Sequence, residues 1–177
     1  NWTYSQESDG PPGFAKSFKA LCTSADSSVA ANVYEMFSYK WEGRDLQQLK
    51  KGTSSAESIT VSFWVKSNKT GTYILEAHDL DNNRQISQSY TISSSATWEK
   101  KTITFAGDTT GALDNDNAAS FQLYWWVAAG SDKSSGTLNT SWGSITQANR
   151  AAGQVQLTDT TNNYWQITGI QVEVGTT

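Results

Sequence analysis

Between Glu57 and Lys66 the chain alternates with period two: Ile59, Val61, Phe63 and Val65 fall on one side, and Thr60, Ser62, Trp64 and Lys66 on the other. Successive side chains of an extended strand point to opposite faces, so a run like this buries one face and leaves the other polar. The pattern recurs at 121–127, where Phe121, Leu123, Trp125 and Val127 alternate with Gln122, Tyr124 and Trp126. Further strands are predicted over 15–23, 33–41, 72–78, 85–92, 98–105, 154–157 and 165–174, bounded by clusters of Gly, Asn, Asp and Ser. Helical periodicity is nearly absent, apart from Arg44 to Lys51, where Leu46 and Leu49 share a face and Gly52 offers a stop. Asp79 to Arg84 reads as the turn of a hairpin between two of the strands. Eight or nine strands with one short helix near 44–51 define an all-β fold, a β-sandwich of jelly-roll type built from two antiparallel sheets.

At 177 residues, with no internal repeat or linker, the chain forms one domain, 1–177, long enough to bury a real core. Its single cysteine, Cys22, cannot close an internal disulfide and reads as an inert buried thiol. Only 17% of residues are charged, and the mean hydropathy of -0.53 comes mainly from Ser, Thr, Asn and Gln. With 8 Trp, 7 Tyr and 6 Phe, this is the composition of an extracellular β protein and not of a disordered segment. A net charge of -4 without a basic stripe argues against nucleic acid as a partner, and no apolar run is long enough for membrane insertion. A chain that begins Asn1-Trp2, without an initiator Met, reads as a piece excised from a longer one.

Motifs for chemistry are sparse. Asp79-Leu80-Asp81-Asn82-Asn83 matches the first five positions of a calcium-binding EF-hand loop, but Arg84 stands where the sixth needs Gly and Tyr90 where the twelfth needs Glu. The only histidine, His78, has no nucleophile elbow or metalloprotease motif to serve. Aromatic placement is more informative, because Trp64 and Trp126 stand on polar strand faces beside Lys66, Gln122 and Tyr124. Rings beside amides and hydroxyls suit carbohydrate: the C–H face of a pyranose stacks on the ring while its hydroxyls find planar partners. The opposing reading is a long loop that covers one sheet face and packs these rings beneath it.

Segments Asn1–Gln6, Asp9–Phe14, Thr60–Ser67, Gly71–Tyr73, Trp98–Phe105, Asp108–Ala112, Ser135–Leu138, Ala148–Ala151 and Asn163–Gly175 together cover most of the chain. Through them it resembles a domain of tail-fibre and other structural proteins of marine viruses and phages, and its layout is similar to jelly-roll carbohydrate-binding modules. The resemblance implies a non-catalytic domain on a virion or in an extracellular setting that contacts a polysaccharide or cell-surface glycan for host attachment. Relatives more often carry Gln and an aliphatic residue where this chain has Tyr39 and Trp41, and the two extra rings either enlarge a sugar platform or repack the core. The expected ligand-binding residues are Trp64, Trp126, Tyr124, Gln122, Tyr39, Trp41, Lys66, Glu76 and Arg84. Such modules often hold a structural calcium between a strand preceding the Asn1-Trp2 segment and the last strand. That first strand is expected to be missing here, which leaves Glu173 a lone candidate ligand and no cofactor assigned.

Two other classes stay open. One is a purely structural or assembly domain whose faces meet other chains of a virion or fibre. The other is a glycan-degrading enzyme, which needs two carboxylates about 5–10 Å apart across a cleft. Glu35, Glu76 and Asp79 are the first to inspect.

Overall fold

In the computed structural model, which describes residues 1–176, eight of the predicted runs and two further segments form ten strands: β1 (Trp2–Glu7), β2 (Ser17–Cys22), β3 (Tyr34–Glu42), β4 (Ile59–Ser67), β5 (Gly71–Asp79), β6 (Arg84–Ile92), β7 (Glu99–Phe105), β8 (Ala119–Ala129), β9 (Gly143–Ser144) and β10 (Tyr164–Val174). They pair into two five-stranded antiparallel sheets, sheet I in the order β1-β2-β10-β4-β7 and sheet II in the order β3-β8-β5-β6-β9. Most connections cross from one sheet to the other, which closes the sandwich. The chain is a two-sheet jelly roll.

The alternation predicted the inner faces correctly. Val61, Phe63 and Val65 of β4, together with Leu123 and Val127 of β8, are fully buried and share one core with Leu75, Ile92 and Trp165. Phe63 stands nearly perpendicular to Trp125 at 5.9 Å and to Tyr90 at 5.2 Å between ring centroids. Trp165 stacks on Phe37 at 5.3 Å, which fixes the edge strand β3 against sheet I. Cys22 is a buried free thiol, as expected.

Three expectations about elements change. The opening segment is itself a strand: β1 pairs along its whole length with β2, Trp2 opposite Cys22 and Glu7 opposite Ser17. Its polar W-T-Y-S-Q-E sequence suits an edge strand, where one row of main-chain groups meets water. The run 154–157 is not a strand, because the Gln154 amide takes the place of a ladder bond and accepts from the Ile74 N–H at 2.8 Å. The short helix tightens to a 3₁₀ turn over Gly43–Leu49, which ends where Lys50 adopts the left-handed conformation (φ 49). Leu49 still points into the core as its spacing required.

Beyond that turn, Lys51 enters the protein. Its ammonium, 5% exposed, forms an ion pair with Asp79 and another with Asp108 at 3.0 Å. It also donates to the carbonyls of Thr110 at 3.0 Å and Gly111 at 2.8 Å. One cation thus ties together the exit of the 3₁₀ turn, the β5–β6 hairpin and the loop after β7. Gly52 lets these loops close on each other: its φ is +81, and a Cβ there would stand 2.5 Å from the Ala112 nitrogen. The calcium-like pattern at Asp79 is accordingly a hairpin turn whose first carboxylate serves Lys51 and the Asn82 N–H at 3.0 Å. Removing the ammonium alone strands buried negative charge, so Lys51→Ala should cost about 3–5 kcal/mol in urea unfolding. The double variant Lys51→Met/Asp79→Asn should recover most of that loss.

Candidate functional site

The nine residues expected to bind ligand fall in four places. Trp64 and Lys66 share the outer face of sheet I, where Lys66 pairs with Asp9 and its ammonium lies 5.1 Å from the Trp98 ring centroid. Arg84 opens β6 and grips Asp108 through two hydrogen bonds of 2.8 and 2.9 Å. Gln122, Tyr124, Trp126 and Glu76 come together on the outer face of sheet II. Tyr39 and Trp41 lie on the inner face of β3, at the seam between the sheets.

The group on sheet II is sealed. Residues 130–151 lie across that face as a strap, held by bonds such as Ser87 N–H to Asn139 O at 2.7 Å and Ser87 Oγ to the Arg150 carbonyl at 2.9 Å. Beneath it Trp126 and Glu76 are fully buried, Gln122 is 4% exposed and Tyr124 7%. Ile74, Tyr124, Trp126, Ala129 and Ala151 form a second small core there. Trp126 therefore offers no face to a sugar, and its expected stacking role is corrected: the loop-covered reading holds for this ring.

Glu76 has a structural role in this small core. It accepts from Arg150 Nε and from Trp126 Nε1, both at 2.8 Å, and the Arg150 guanidinium lies 5.2 Å from the ring centroids of Tyr124 and Trp126. Asp79 is spent on Lys51, and Glu35 accepts from Tyr4 Oη at 2.8 Å. The three carboxylates first considered for glycoside cleavage thus each hold a contact within the fold.

The seam is different in kind. The register of β10 with β2 ends at Ile167 opposite Phe18, and β10 then bulges between Thr168 and Gln171. Gly169 sits in the bulge at φ +61, and Phe14 packs so closely that a Cβ there would meet its ring at 2.6 Å. β2 therefore flanks only the first half of β10. The second half is left uncovered, with Ile170 48%, Val172 37% and Val174 44% exposed. Across from it stands Tyr39, 59% exposed, its ring 4.5 Å from half-buried Trp41 in an edge-to-face pair.

Between these walls run two adjoining hollows of about 360 and 300 Å³ that share Trp41 and Val172. Tyr39 and Trp125 line the first, while Asp45 and Gln48 bring polar groups to the second. Exposed apolar surface concentrated beside a few convergent polar side chains marks a site of contact more than a chance exposure. Asp45, Gln48 and Ile170 carry no signal of this in sequence, since it arises from where β2 stops. Glu173 borders the same trough from the strand edge, while its side chain shares the outer face with Gln171, from whose Nε2 it accepts at 2.8 Å. Among the described residues no group of three or more His, Cys, Asp or Glu side chains is placed to hold a metal ion.

No protein-family model matches the chain, and no curated protein sequence matches it. Among solved structures it is similar to the enzymatically active domain of tailspike protein 4 of bacteriophage CBA120, at 12% identity and a TM-score of 0.50. That match covers 98% of this chain and 18% of the tailspike chain. A family 11 carbohydrate-binding module from Clostridium thermocellum, in complex with a β-1,3-1,4-mixed-linked tetrasaccharide, superposes at 14% identity and a TM-score of 0.48, over 99% of this chain and 83% of the module. A crystal structure described as a putative sugar binding protein from Bacteroides thetaiotaomicron gives 9% identity and a TM-score of 0.48, over 97% and 81%. At such identities the likeness to the tailspike domain is one of fold. No helix among the described residues is long and apolar enough to cross a membrane.

The covered group makes a pH prediction. Burial outweighs the opposing pull of Arg150 and pushes the Glu76 carboxyl up to about 7. Burial, followed by the Arg150 charge, lowers His78 to about 4. A carboxyl raised on folding contributes fully below its unfolded value of 4.5 and loses that contribution as pH rises toward about 7. The lowered imidazole runs the other way, contributing above about 6.5 and losing its contribution as pH falls through about 4. In Glu76→Gln only the imidazole slope remains. The stability advantage of the parent over this variant, measured by urea unfolding, should therefore shrink by about 3 kcal/mol between pH 4.5 and 7. An advantage that grows over that range would mean Glu76 is ionised throughout.

Proposed function

We propose that this domain binds carbohydrate without cleaving it, in the seam between β3 and β10, with Tyr39 and Trp41 as the stacking rings. One observation carries the reading: two adjacent rings, one of them 59% exposed, line an open trough whose far end is bordered by Asp45 and Gln48. Rings supply the apolar face that a pyranose C–H surface requires, while the Asp45 carboxylate accepts from its hydroxyls and the Gln48 amide both accepts and donates. The jelly-roll fold and the sequence resemblance support the same reading, and the resemblance favours display on a virion fibre or another extracellular surface. Binding without cleavage is favoured because Glu35, Glu76 and Asp79 are each held in contacts of the fold.

A glycan array, followed by Trp fluorescence titration of any hit, tests this. Tyr39→Ala should weaken a confirmed hit about tenfold or more while shifting stability by only about 0.5 kcal/mol, since the ring is mostly in water. Retained affinity in Tyr39→Ala and in Gln48→Ala would rule out the seam. Trp64→Ala in the same assay reports whether the outer face of sheet I contributes.

A second reading rests on the main chain of β10. Residues 171–174 pair with β4 on one side and lie beyond the reach of β2 on the other, so their outward N–H and C=O groups form an edge that can add a strand. An assembly domain would use this edge against another chain. Self-association in light scattering that Val172→Lys abolishes and Tyr39→Ala leaves intact would favour it.

A further inference from the structure

On the opposite seam, where β6 faces the edge strand β7, lies a separate groove of about 450 Å³, within the range of about 300–1,000 Å³ typical of small-molecule sites. Its walls come from Arg84, Gln88, Thr104, Thr109, Thr140 and Trp142. We propose that this groove is a second carbohydrate site, built for a neutral pyranose and independent of the trough at Tyr39.

The geometry defines what each side chain has left to offer. Trp142 Nε1 donates to the Ala106 carbonyl at 2.7 Å, so the indole is fixed and its N–H is spent. Phe121 lies 6.2 Å from the ring and the Lys51 ammonium 5.4 Å, which braces the half-buried indole from the protein side. What remains for a ligand is the ring surface. Gln88 spends one amide hydrogen on a long 3.4 Å bond to the Thr140 carbonyl, and its Oε1 has no partner among the described residues. Arg84 uses Nε and Nη2 on Asp108, which leaves Nη1 for a hydroxyl. Thr109 and Thr140 supply hydroxyls that both donate and accept, while the Thr104 hydroxyl, bonded to Thr60 Oγ1 at 2.9 Å, can only accept.

Charge selects the ligand class. Lys51 and Arg84 together carry two positive charges, and Asp79 and Asp108, with which they pair, carry two negative ones. The two carboxylates neutralise the two cations, so a uronate or sulfate gains no net attraction from the groove, and Arg84 Nη1 is left as a single N–H donor. An uncharged sugar loses little on entering a balanced groove and meets ring, amide and hydroxyl groups suited to it.

The test uses the whole chain, labelled with ¹⁵N so that each indole N–H gives its own resonance, with Trp142→Phe and Trp41→Phe assigning two of them. The probes are β-linked tetrasaccharides of glucose, xylose, galactose and mannose, with the α-linked galacturonate tetrasaccharide as the acidic control, each raised to about 10 mM so that a Kd of about 1 mM is nearly saturated. The Trp142 signal should move saturably with a neutral sugar, persist in Tyr39→Ala, and require about tenfold more ligand in Gln88→Ala. A Trp142 signal that stays still with all four neutral sugars overturns the proposal, as does one that responds equally to galacturonate or is unaffected by Gln88→Ala. Movement of the Trp41 signal alone would leave the Tyr39 seam standing and remove this groove. Movement of the Trp142 signal alone would do the reverse.

Discussion

Phe63 stands edge-on between Trp125 and Tyr90, and through it β4 of one sheet is locked to β8 and β6 of the other. Large rings that meet at right angles place the positive edge of one against the negative face of another, a contact that adds to the area they bury. With no disulfide available, the sandwich depends on this packing. The alternation of β4 and β8 serves it directly, since every second residue of each must reach the same plane. The two seams are its by-products: where the sheets end before the core is closed, the inner rings of edge strands come to the surface.

Both proposed sites lie at such seams, and not on an outer sheet face. The outer face of sheet II has the composition of a sugar platform, with Gln122, Tyr124, Trp126, Glu76 and His78 side by side, yet the strap of residues 130–151 turns it into a second core. Burying these polar groups is tolerable because most are partnered: Arg150 answers Glu76, and Tyr124 Oη donates to Gln122 Oε1 at 2.7 Å. His78 Nε2 and Arg150 Nη2 have no hydrogen-bond partner among the described residues, and part of the cost appears as the shifted ionisation of Glu76 and His78. Polar residues on a strand face are thus equally suited to water, to sugar or to a covering loop.

Much of the fold was legible in the sequence. Eight of the nine predicted runs became strands, their inward residues were the right ones, and the hairpin at Asp79 formed with Asp79 opposite Arg84. The exceptions have separate causes: a side-chain hydrogen bond stands in for main-chain pairing at Gln154, and β1 is an edge whose polar alternation is weak as a signal. The proposed site was legible in part. Tyr39 and Trp41 were visible as unusual rings, while nothing local marked Asp45, Gln48 or Trp142 as their counterparts in grooves.

The sequence by itself determined the strands, the inward faces and the supply of rings, because period-two alternation is a local property that any extended segment expresses. Tertiary structure decided which rings meet solvent. Trp126 and Tyr39 are both aromatic residues in neighbouring strands, but a strap arriving from residues 130–151 covers one, while the early end of β2 and the Gly169 bulge uncover the other. Exposure depends on segments far away in the chain, and no pattern around a residue records where those segments come to rest.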